Sequence, residues 1–85
     1  MIEEIVQEYA QLYNNKAVSG TGEEIAYELA NFHVDELDDS HVMLLCVNYE
    51  IYTQLPLIQN LRNVSLVSYA RECLKRHIVN TLLDL

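Results

Sequence analysis

The sequence predicts an all-α domain, a compact bundle of four main helices, and three observations carry that expectation. The 85 residues include only two glycines and one proline, too few turn-formers for a tight all-β fold. Hydrophobic residues make up 51% of the chain, enough to build a core despite its charge and to argue against disorder. Apolar residues also recur at helical spacing near both ends and in the second quarter of the chain. A length of 85 residues corresponds to one helical domain, 1–85, with a single thin core.

The first helix is expected over about 2–14. Ile2, Ile5, Val6, Tyr9, Leu12 and Tyr13 fall on one face and Glu3, Glu4, Gln7, Glu8 and Gln11 on the other. Glu3 and Glu4 stand in the first turn, where carboxylates favour the helix dipole. Residues 14–20 read as a loop, with an Asn pair and Ser19-Gly20 as breakers.

A second helix is expected over about 22–38. Thr21-Gly22-Glu23-Glu24 matches a capping box, in which the Thr hydroxyl and Glu24 carboxylate would each satisfy a free backbone donor. Ile25, Leu29, Phe32, His33 and Leu37 form its apolar stripe. Asp38-Asp39-Ser40 ends this helix and can cap the next.

The third helix is expected over about 41–53. Residues 42–47 are continuously apolar, so such a helix would be hydrophobic almost all round and would sit centrally or at an interface. Periodicity alone also permits an α+β fold in which residues 42–52 form a buried strand, but Met, Leu and Cys at the centre favour helix. Leu55-Pro56 breaks the element, and a short turn follows around 56–62. The fourth helix, about 64–83, would bury Leu66, Val67, Ala70, Cys73, Leu74, His77, Ile78 and Thr81. Arg71, Lys75 and Arg76 would lie on its outer side, compensating the C-terminal end of its dipole.

Charge is the most informative functional feature. The formal net charge is −8, and eleven of the thirteen carboxylates precede residue 52 with only Lys16 among them, a local balance of −10. A field of that sign repels nucleic acid and membrane surfaces and attracts basic protein surfaces. At ~100° per residue, Glu23, Glu24, Glu28, Asp35, Asp38 and Asp39 gather on one side of the second helix around Tyr27. Glu4 and Glu8 add a second acidic row. Surfaces shaped only for solubility mix signs, whereas this one does not. The expected partner is therefore a basic protein surface, including that of a nucleic-acid-binding enzyme, with Tyr27 as an anchor.

In size and charge the chain resembles the small acidic anti-defence proteins of phages and mobile elements, which block host nucleases by standing in for nucleic acid. No motif carries the likeness, so no residue roles transfer from it. What it implies is an inhibitor rather than an enzyme. No Gly-rich phosphate loop, nucleophile elbow or Cys-His-Asn pattern is present, and the expectation is no catalytic residue and no cofactor. Arg62, Arg71, Lys75 and Arg76 are outweighed by the acidic half, so direct nucleic-acid binding is not expected.

A second expectation, of another class, is a structural or adaptor protein acting as a homodimer. It rests on the apolar segment 42–52 and on Val79, Leu82 and Leu83, an i, i+3, i+4 patch placed opposite the core face of the last helix. Cys46 and Cys73 lie far apart in sequence and read as buried thiols of a reducing compartment. His33, His41 and His77 show no metal-ligand spacing with them, so no metal site is expected, and His33 has Glu36 at i+3 as a partner. With no apolar run near 18 residues and an acidic N-terminus, the expected location is cytoplasmic, with no membrane partner.

Overall fold

Four helices form the protein in the computed structural model, which describes residues 1–15, 21–51 and 65–85. They are α1 (Ile2–Asn15), α2 (Gly22–Asp35), α3 (Asp39–Asn48) and α4 (Leu66–Leu83), and no strand occurs among the described residues. The all-α expectation holds, and the alternative of a strand over 42–52 is overturned through residue 51. The turn expected around 56–62 lies outside the described residues.

Short polar side chains start three of the helices. The Thr21 hydroxyl accepts from the Glu24 N–H at 3.2 Å, the Asp38 carboxylate from the His41 N–H at 2.8 Å, and the Ser65 hydroxyl from the Ser68 N–H at 3.1 Å. Asp38 explains why α2 stops at Asp35 and not near residue 38. Its extended backbone (φ −75°, ψ 169°) belongs to the cap of α3, and the Leu37 N–H closes a tight turn onto the Val34 carbonyl. Ser65 likewise places the start of α4 at Leu66. Helix α3 ends at Asn48, five residues short of expectation, because Glu50 adopts φ 57° and its N–H bonds the Val47 carbonyl.

Helix α4 is the centre of the packing, with α1, α2 and α3 all in contact with it. Ala70, Leu74, Ile78, Val79 and Leu82 are its buried residues. They meet Ile5 and Tyr9 from α1, Ile25, Ala26, Leu29, Ala30 and Val34 from α2, and Val42, Cys46 and Ile51 from the α3 region in one cluster. The alanines in this set, all fully buried, are short enough to let helix backbones approach closely.

Three helix faces are turned from their expected setting. Val79 and Leu82 are 2% and 1% exposed, so the outward patch with Leu83 does not exist as such, and only Leu83 reaches the surface. Leu66 is exposed, and Cys73, His77 and Thr81 are only half-buried. A helix with neighbours on three sides buries more than one stripe, and α1 is the neighbour that a single-stripe reading omits. In α2, Phe32 is 62% exposed, and the core takes Ala26, Ala30 and Val34 in its place. Helix α3 is not central, since it buries only Val42 and Cys46.

Tyr9 is buried as expected, but Tyr13 is exposed and stacks on it at 5.9 Å. Both rings crowd the first turn of α2. A Cβ at Gly22 would lie 2.8 Å from the Tyr9 hydroxyl oxygen and 3.1 Å from Tyr13, so a larger residue there would require the tyrosine rings to shift. Tyr9 and Tyr13 also border a recess with Leu82, Leu83 and Leu85. The start of α2 therefore sits with the later halves of α1 and α4 at one end of the bundle.

The rotated face of α4 is testable by truncation. Leu82→Ala is expected to lower stability by about 2–5 kcal/mol, as for other fully buried leucines. Leu83→Ala should change it by no more than about 0.5 kcal/mol. Urea titration followed by circular dichroism measures both, and equal effects would contradict the assigned packing.

Candidate protein-binding face

The acidic side of α2 begins at its N-terminus, where Glu23 and Glu24 sit in the first turn and are favoured by the unpaired backbone donors there. The capping box is only half made. Thr21 accepts from the Glu24 backbone, while the Glu24 carboxylate stays in solvent. Thr21, Glu23, Glu24, Tyr27 and Glu28 line a shallow open depression, and Tyr27 is half exposed beside these carboxylates. Among the described residues, no cation lies within ion-pair distance of Glu23, Glu24 or Glu28.

The other acidic residues have internal partners. Lys75 Nζ contacts Asp35 Oδ1 at 2.8 Å, and Arg71 Nη2 donates to Asp39 Oδ1 at 3.0 Å. Asp38 is the cap of α3 and lies 3.8 Å from His41 Nδ1. Glu8 contacts His33 Nε2 at 2.9 Å across α1 and α2, so the partner of His33 is Glu8 and not Glu36. Glu4 is exposed with no ion pair among the described residues. One turn before Glu8, it lies toward the far end of α2 from Glu23. The residues expected to form one face thus separate, and the structure keeps Glu23, Glu24, Tyr27 and Glu28 together.

The basic residues of α4 explain that separation. Arg71 and Lys75 face α2 and not solvent, contrary to the expectation that they compensate the dipole of their own helix. The last turn of α4 carries no base at all. Arg71 Nη1 donates to the carbonyls of Val34 at 2.6 Å and Leu37 at 2.9 Å, supplying donors to backbone acceptors at the end of α2. Lys75 lies between Asp35 and Glu72, the latter at 3.5 Å. The hydrogen bond to Asp35 raises its pKa, burial opposes the rise, and Glu72 adds to it. Arg76 borders a second recess with Tyr27, Asn31, Glu72 and Lys75, so Tyr27 stands at the boundary between acidic and mixed-charge surface. Apart from Glu72, three positions from Lys75 on the same helix, the hydrogen-bond and ion-pair partners of Arg71 and Lys75 are 32 to 40 positions away in sequence, and spacing within one helix could not reveal them.

Cys46 is buried and donates to the Ala70 carbonyl at 3.5 Å, while Cys73 is half-buried, and both thiols are free. Burial pushes both thiol pKa values up. Arg76 pulls Cys73 partly back, and Cys73 adds to the rise at Cys46. Neither therefore has the lowered pKa of a reactive nucleophile. Among the described residues, no group of three or more His, Cys, Asp and Glu side chains is placed to hold a metal ion. No described helix is long and apolar enough to cross a membrane. Comparison with protein-family models, curated proteins and solved structures finds no match for this chain.

Two outcomes test the charge assignments. Arg71→Met should cost about 1–3 kcal/mol, because it takes the side-chain donor from the Leu37 carbonyl and one of two donors from the Val34 carbonyl, whereas Asp39→Asn, at an exposed carboxylate, should cost less than about 1 kcal/mol. Thermal unfolding at neutral pH reads both. The raised pKa of Lys75 stabilises the fold fully below the unfolded lysine value of about 10.4, and that contribution is lost as pH climbs through the higher folded value. From about pH 9.5 to 11.5, the wild type should therefore lose stability more steeply than Lys75→Met. Parallel slopes would show that the Asp35 contact contributes nothing.

Proposed function

We propose that this chain is a non-enzymatic, acidic protein-binding module that inhibits its target by occupying a basic surface. One observation supports this reading above the others. The fold pairs Asp35 and Asp39 with its own cations, engages Glu8 through His33, and places no cation among the described residues within ion-pair distance of Glu23, Glu24 or Glu28, which surround an exposed tyrosine. In water an unpaired carboxylate costs little, but it becomes a source of affinity only when a partner supplies the cation.

The chemistry suits a surface that ordinarily grips phosphates. Glu24 and Glu28 are four residues apart on a rigid helix, about 6 Å along its axis. That is roughly two nucleotide rises along one strand of duplex DNA. Arginines and lysines placed for a phosphate backbone would meet carboxylates at compatible spacing, and Tyr27 would add apolar area at small entropic cost. The target class is thus a nucleic-acid-binding enzyme, as with anti-defence proteins of phages and mobile elements. The module competes with nucleic acid and does not bind it.

The test uses the wild-type chain and a Glu23→Lys/Glu24→Lys/Glu28→Lys variant as paired affinity baits, at low and high salt. A basic protein held by the wild type, released by salt and absent from the variant is the expected result. Once that protein is purified, the triple change should weaken binding by at least about a hundred-fold, since each pair becomes repulsive. A Gln triple variant with unchanged circular dichroism should lie between the two. Affinity that is indifferent to salt and to all three reversals would rule this function out.

A further inference from the structure

We draw no further inference here: the strongest candidate, the apolar recess that Tyr9, Tyr13, Leu82, Leu83 and Leu85 border at one end of the bundle, carries nothing because no feature of the structure shows what covers it.

Discussion

Arg71 holds the corner at which three helices meet, and much of the arrangement depends on it. Its guanidinium, carried by α4, donates to two carbonyls at the end of α2 and to the carboxylate that opens α3. The turn of residues 36–38 exposes backbone acceptors just where α2 must reverse into α3, and a helix end packed against a neighbour needs partners for them. A planar fork with several donors satisfies acceptors in different directions at once, which a lysine ammonium cannot do in the same geometry. The apolar contacts of α4 supply most of the driving force for folding, and Arg71 fixes the angle at which the chain returns to them.

The same contact organises the surface. By drawing Arg71 and Lys75 inward to Asp39 and Asp35, the fold uses these cations at one end of α2, and among the described residues none lies within ion-pair distance of the carboxylates at the other. A diffuse excess of negative charge becomes a local one around Tyr27. The inner pairs set a partly buried cation against an exposed carboxylate, while the outer carboxylates remain hydrated and available. On α3, by contrast, the exposed Leu44 and Val47 stand beside the uncharged Ser40 and Asn48, and beside His41.

Sequence reasoning succeeded where the determining interaction is local. The caps at Thr21 and Asp38 and the amphipathic face of α1 involve residues within a turn or two of each other, so spacing alone exposes them. It misled where a helix has several neighbours. Val79 and Leu82 read as an outward patch because a single-stripe picture of α4 had no place for α1. Phe32 read as core and Ala30 did not, because hydrophobicity ranks the larger residue first while a close helix contact selects the smaller.

By itself the sequence determined the helical class, the start of each of the three capped helices to within two residues, and the sign and concentration of charge, since all of these follow from composition and short-range backbone chemistry. Only the tertiary structure decided which carboxylates remain unpaired, which side of α4 is core and which side of α3 is bare. Those outcomes depend on partners tens of residues away, such as Arg71 for Val34 and His33 for Glu8. Whether a charge or a methyl group is spent inside the fold or offered outside is set by packing geometry, and helical periodicity carries no record of it.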